Sequence, residues 1–285
     1  MPGLHGAVAV VIDSTAYLPA DLADRFTIVP LTVVVNGVQG LEAVDVTPQT
    51  VARELSTRRA AVTTSRPAPE AFIEVYRRLL ESGAPGVLSV HLSAKLSGTF
   101  DAARLAAAEF GRQVEVVDTH STGMGLGFPA LAAVAAAADG GYLSLVRQAA
   151  QDAIARTTTL FYVDTLEFLR RGGRIGAASA LLGTALSVKP ILHTTEDGVV
   201  VREKVRTASR ALARLVDFAA EAAGESEFDV AVHHLAALDR AEMLAGTLKD
   251  RFGARLRARY LTEVGAVVGA HVGPGMVAVV VHRLP

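Results

Sequence analysis

The feature that most restricts the fold is an alternation. Short Val-rich runs at Ala7–Ile12, Phe26–Val35, Gly86–Leu92 and Val114–Val117 are separated by four other segments, Pro48–Arg59, Pro67–Glu81, Ser97–Phe110 and Gly127–Ala138. In those four, apolar residues recur every three or four positions, the spacing of one helical face. Strand, helix, strand in that order predicts βαβ units and a mostly parallel sheet flanked by helices. Ser144–Arg156 reads as one more amphipathic helix and Leu160–Val163 as the start of a new strand, so a first α/β domain is expected over 1–156 and a second over 157–285.

The second half follows a different pattern. Lys189–Val205 reads as an antiparallel hairpin whose turn is Glu196-Asp197-Gly198, because glycine supplies the positive φ of a tight turn. Helix Ala208–Ala223, strand Phe228–His233, helix Asp239–Phe252, strand Arg255–Leu261 and strand Met276–His282 complete a mixed sheet. The chain has 285 residues, 51% of them hydrophobic, enough for two cores. A groove between two such domains is the default place for a ligand.

Composition removes several functions. The chain has 28 basic and 29 acidic residues, without the basic excess of a general nucleic-acid binder. It has no cysteine, which excludes disulfides, thiolate metal sites and a cysteine nucleophile and agrees with a cytoplasmic setting. Ala7–Ile12 follows no basic leader and reads as a strand, not a signal peptide. Gly123–Ala138 contains Pro129 and is shorter than the roughly 20 apolar residues of a membrane span, so it reads as a buried helix.

Two hydroxyl-rich turns stand out. If Leu88–Leu92 is a strand and a helix begins near Ser97, then Ser97, Gly98 and Thr99 sit at a helix N-terminus, where unpaired N–H groups favour an anion and Gly98 allows close approach. The plainer alternative makes Ser97 an N-cap, worth about 1 kcal/mol. Thr63 and Thr64 precede Ser65-Arg66-Pro67, where Pro67 suits the first turn of a helix and Ser65 or Arg66 its cap; paired threonines there are also ordinary capping material.

Packing explains Arg174 less well. Arg170 and Arg171 before Gly172-Gly173 fit a basic, glycine-capped helix end, but Arg174 follows the glycines and precedes an apolar helical stretch, where a guanidinium points to a carboxylate or phosphate. His271 lies in His-Val-Gly-Pro-Gly, read as a rigid glycine-rich turn, and is either a ligand group or a satisfied structural histidine. His233 and His234 are adjacent on a strand and face opposite sides, so no metal site is expected.

Several stretches in order resemble one family: Val11-Ile-Asp13-Ser14, Thr64-Ser-Arg-Pro67, Leu96-Ser-Gly-Thr99, Leu169-Arg-Arg-Gly-Gly-Arg-Ile175, Lys189-Pro-Ile-Leu192, Lys204-Val-Arg206 and His271-Val-Gly-Pro-Gly275. They are similar to motifs of the DegV family of bacterial fatty-acid-binding proteins. The resemblance implies a two-domain α/β fold enclosing one long-chain fatty acid, its tail in a tunnel of the second domain and its carboxylate between the domains. By the same resemblance Thr63 or Thr64 and Ser97 bind the carboxylate, Gly98 belongs to their turn, and Arg174 and His271 join the polar network. Arg206 resembles a residue that faces a partner kinase. The implied protein is a cytoplasmic carrier subunit, not an enzyme, with no cofactor or metal; its partners are a fatty acid, a fatty acid kinase catalytic subunit and, transiently, a membrane surface. Two departures stand out: Arg66 where glutamine is usual, and Gly40-Leu-Glu-Ala-Val-Asp45 without the usual Asp-Gly.

Two other classes compete. A serine hydrolase of lipid esters would use Ser97 with His271 and either Asp118 or Asp13, although Leu96-Ser97-Gly98 is no Gly-x-Ser-x-Gly elbow. A sugar-phosphate or nucleotide binder would use Gly123-Met-Gly-Leu-Gly127, which is not the dinucleotide fingerprint, and no Gly-x-x-x-x-Gly-Lys-Ser/Thr loop is present.

Overall fold

A computed structural model describes residues 6–57, 61–181 and 188–285. In chain order the elements are β1 (Ala9–Asp13), α1 (Ala20–Ala23), β2 (Thr27–Val29), β3 (Thr32–Val35), β4 (Val38–Leu41), α2 (Pro48–Leu55), β5 (Val62–Ser65), α3 (Pro69–Glu81), β6 (Val87–His91), α4 (Thr99–Ala107), β7 (Val114–Asp118), α5 (Met124–Ala138) and α6 (Leu143–Ala155). They continue with β8 (Thr157–Tyr162), α7 (Glu167–Arg171), β9 (Lys189–Thr195), β10 (Gly198–Val205), α8 (Ala208–Ala223), β11 (Phe228–His234), α9 (Leu238–Phe252), β12 (Leu256–Glu263), α10 (Ala266–Val272) and β13 (Val277–Arg283). The chain forms two compact units: residues 1–32 with 65–155, and residues 33–64 with 156–285.

The first unit is built on a parallel sheet, order β2-β1-β6-β7. Its central strands, β1 and β6, are buried on both faces, which is why they are largely apolar runs. Because side chains alternate along a strand, Val11 and Val87 enter a core with Phe72, Tyr76, Ala102 and Ala106 of α3 and α4. Val10, Ile12, Leu88 and Val90 enter the opposite core with Leu126, Ala130, Val146 and Ala150 of α5 and α6. The small alanine faces of α4 and α5 let the helices lie close to the sheet.

The second unit contains a mixed six-stranded sheet, order β10-β9-β8-β13-β11-β12, in which β11 and β12 are parallel and the other pairs antiparallel. Its core joins Leu160, Tyr162, Ile191, Val230, Val279 and Val281 to Leu215 and Phe218 of α8 and Leu244 and Leu248 of α9. The expected hairpin is present, with Gly198 at φ +94°. The parallel and mixed sheets, with helices on them, are the α/β architecture that the alternation predicted.

Some local expectations are corrected. Phe26–Val35 is not one strand but two: β2 lies in the parallel sheet, and β3 lies in a separate sheet of order β4-β3-β5. Pro30 between them has no N–H for a ladder, and the Leu31 N–H donates to Ser14 Oγ at 3.1 Å. β4 was not foreseen; its turn from β3 is Asn36-Gly37, both at positive φ (+51° and +86°). Residues 33–64, read as part of the first domain, belong to the second unit, where Glu42 Oε1 accepts the Val267 N–H at 2.7 Å and Gln49 Nε2 donates to Glu263 at 2.6 Å. The helix expected from Pro67 begins at Pro69 with Ala68 as its cap, since Thr64 and Ser65 are still in a strand. Arg59 of the Pro48–Arg59 segment lies outside the described residues. The apolar stretch after Arg174 forms a short 3-10 turn over Gly176–Leu181, and residues 182–187, with Leu186 and Ser187 of the motif before Lys189, also lie outside the described residues.

Candidate functional site

In the second unit, β5 is a short strand whose side chains alternate. Thr63 is exposed, whereas Thr64 is half-buried and its Oγ1 lies 2.8 Å from Nε2 of His271. His271 is not in an irregular turn as expected; it occupies the last turn of α10, and the Gly-Pro-Gly segment begins beyond it with Gly273 at φ +75°. Nδ1 of His271 is buried with no hydrogen-bond partner, and it lies over Gly172, where a Cβ would be 2.1 Å from it.

That environment sets the chemistry of the pair. Burial first, and the nearby Arg174 charge second, push the His271 pKa down to about 4, so the ring is neutral at neutral pH. A proton on Nδ1 would be a buried donor without an acceptor, which is costly. We therefore place the proton on Nε2, donating to Thr64 Oγ1. The Thr64 hydroxyl hydrogen is then available to an acceptor such as a carboxylate.

Arg174 follows α7 in the same unit. Its N–H donates to Leu169 O at 2.9 Å, and its Nη1 donates to Gly172 O at 2.6 Å. The Gly172 carbonyl at the end of α7 thus orients the guanidinium, and the Leu169 carbonyl holds the backbone that carries it. Further glycines there have steric reasons: a Cβ at Gly273 would lie 2.0 Å from the Phe168 ring, and one at Gly275 would lie 1.9 Å from Asp164 Oδ2. Asp164 also holds Lys189 at 3.3 Å and Arg240 at 3.1 Å. Sequence reading missed Asp164 and Arg240; the only signal was Lys189 and Gly275, each inside a quoted motif.

A cleft of about 660 Å³ adjoins Asp164, His234, Asp239, Arg240 and Glu263 in this unit. Three carboxylates in its wall make it a poor receptor for an acid. Arg206 is exposed one residue beyond β10.

In the first unit, Ser97 and Gly98 are half-buried and Thr99 is buried at the start of α4. The cap residue is Gly98 and not Ser97, and no side chain caps the helix. Ser97 Oγ lies 2.9 Å from Thr99 Oγ1 and accepts the Thr99 N–H at 3.3 Å, so two hydroxyls are held side by side. The Arg66 side chain crosses Gly98.

The first unit also holds a chain of buried polar groups. Tyr76 donates to Ser89 Oγ at 2.8 Å, Ser89 Oγ is 2.7 Å from His91 Nε2, and His91 Nδ1 is 3.0 Å from Asp13 Oδ2. Asp13 also accepts the N–H groups of Thr15 and Leu92, at 3.0 and 2.9 Å. Asp13, His91 and Ser89 stand in the order of a hydrolase triad, but all three are 0% exposed and no substrate reaches them. The hydrolase partners proposed from sequence are engaged otherwise: His271 with Thr64, Ser97 with Thr99, and Asp118 with the Ala94 N–H at 3.1 Å and the His120 N–H at 2.8 Å. Gly123-Met-Gly-Leu-Gly127 opens the buried helix α5, where a Cβ at Gly127 would meet Met124 Sδ at 2.6 Å; packing accounts for its glycine. Among the described residues no group of three His, Cys, Asp or Glu side chains could hold a metal ion, and His233 instead bonds Thr262 at 2.8 Å.

The fold and these clusters define an α/β protein equipped to donate hydrogen bonds from hydroxyl and guanidinium groups. A family model described as "Uncharacterised protein, DegV family" matches residues 7–284. The chain is 54% identical to a DegV domain-containing protein of Streptomyces coelicolor, over 96% of this chain and 98% of that one. It is 40% identical to one from Mycobacterium tuberculosis, over 96% of each. It therefore belongs to the DegV family. Among solved structures it is similar to a fatty-acid-binding DegV family protein from Thermus thermophilus, with TM-score 0.92 and 35% identity over 98% of this chain and 100% of that one. A second is DegV, a fatty acid binding protein from Bacillus subtilis, with TM-score 0.88 and 28% identity over 98% and 100%.

Proposed function

We propose that this protein binds one long-chain fatty acid, shields its acyl chain and presents its carboxylate to a separate ATP-dependent kinase that forms the acyl phosphate. The observation that carries the reading is the match along 98% of the chain to a DegV protein that binds fatty acid. Thr64, His271 and Arg174 within the second unit, and Ser97 and Gly98 within the first, are each put forward as groups that receive a carboxylate; Thr63, exposed and without a role in the Thr64–His271 pair, is set aside. Hydroxyl donors and a guanidinium satisfy a carboxylate with no covalent step. About 14 methylenes at about 0.8 kcal/mol each supply on the order of 11 kcal/mol before ordering costs, so the tail gives affinity and the polar groups give orientation.

No Gly-x-x-x-x-Gly-Lys-Ser/Thr loop occurs in the sequence, so ATP is assigned to the partner, with exposed Arg206 facing it. The working place is the cytoplasm, with transient contact at a membrane surface where fatty acid is loaded. No described helix is long and apolar enough to cross a membrane.

Native mass spectrometry of gently purified protein, followed by lipid extraction, tests the reading. One bound fatty acid per chain is expected. A protein that is empty and ignores added oleate and palmitate would refute it. Acyl-phosphate formation by a kinase fraction, dependent on this chain and weakened by Arg206→Ala, tests the second half.

A further inference from the structure

We propose that Arg66 is a further headgroup-binding residue, its guanidinium pairing with a carboxylate held by the Ser97 hydroxyl. The proposal rests on the fatty-acid reading above and adds to it a residue that neither the motifs nor the comparisons assign.

The argument begins with Gly98. Its φ of −73° is open to any residue, so backbone conformation does not call for glycine there. Space does. A Cβ at Gly98 would lie 2.8 Å from Arg66 Cδ, 3.2 Å from Nε and 3.7 Å from Cζ. The glycine is the seat of the arginine stem, and the guanidinium carbon lies over the turn that carries Ser97, whose Oγ is 2.9 Å from the buried Thr99 Oγ1. Pro67, itself buried, confines the backbone of the residue before it and so limits where the side chain can start.

The charge is also unanswered. No carboxylate pairs with Arg66 among the described residues, and Asp101 in the first turn of α4 is 3.6 Å from Arg104. An exposed arginine with a packed stem and no acidic partner, lying over the Ser97 turn, can receive a carboxylate edge-on while the Ser97 hydroxyl donates to it.

The test uses the delipidated full chain, with sodium oleate and the uncharged oleyl alcohol as probes, and compares wild type with Arg66→Gln, Arg66→Lys and Ser97→Ala. Arg66 is exposed, so its variants are expected to fold. At low ionic strength Arg66→Gln should weaken oleate about fivefold, with partial recovery in Arg66→Lys and no change for oleyl alcohol. The gap should narrow in about 0.5 M salt. Oleate binding unchanged in Arg66→Gln but weakened in Ser97→Ala would overturn the role of Arg66 and leave the site reading intact. Equal weakening for acid and alcohol would also overturn it, since that marks a packing effect. Oleate unaffected by every variant, or not bound by wild type, would overturn the headgroup site together with the proposal.

Discussion

Gly172 and His271 share one space: a Cβ on Gly172 would sit 2.1 Å from His271 Nδ1 and 2.9 Å from Cε1. The glycine therefore does more than end a helix, since the ring that reaches Thr64 from α10 rests against it.

Gly172→Ala should accordingly displace the imidazole and break its 2.8 Å contact with Thr64. Overpacking of this kind costs about 1–3 kcal/mol. We expect a lower midpoint in urea and weaker oleate binding. An alanine variant with wild-type stability and affinity would show that the ring moves freely.

Thr64→Val keeps the shape and removes the hydroxyl, leaving the buried Nε2–H without its acceptor. A loss of about 1–3 kcal/mol in stability is expected. Thr63→Val, at an exposed position on the other face of β5, should change neither stability nor fatty acid binding. Chemical denaturation and oleate titration of the two variants side by side decide the matter.

Stability should fall in mild acid. Burial pushes the pKa values of His233, His271 and His282 down from 6.5 to about 4. Below pH 6.5 the unfolded chain takes up protons that the folded histidines refuse, so their contribution is complete above about 6.5 and is lost as pH falls towards 4. Each contributes up to about 1.4 kcal/mol per pH unit in that window. Urea midpoints at about pH 7 and about pH 5 should differ clearly, and by less in His271→Gln.

Asp13→Ala should destabilise the first unit by at least about 3 kcal/mol, because it strands His91 Nδ1 and the Thr15 and Leu92 N–H groups in a buried setting. Thermal unfolding measures this. Ser89 should stay unlabelled by a fluorophosphonate probe in the folded protein, since its hydroxyl is fully buried.

How much of this was legible beforehand depended on the range of the interactions involved. The βαβ alternation, the Gly198 hairpin and the bounds of α8 (Ala208–Ala223) were written in local periodicity and turn chemistry, which a linear chain displays directly. The candidate hydroxyls, Arg174 and His271 were likewise conspicuous by type and setting, and the ordered motifs led to the DegV family that the comparisons establish.

Tertiary structure decided the rest. Alternation along β5 separates Thr64 from Thr63, but which parity faces inward is set by His271, 207 residues away in the chain. Pro30 divides an apparent strand between two sheets, and residues 33–64 join the second unit through partners such as Val267 and Glu263, more than two hundred residues distant. The glycines at 98, 172 and 275 look like turn residues, yet each leaves room for a side chain brought there by folding: Arg66, His271 and Asp164. Periodicity reports what each segment must bury; only packing reports against what.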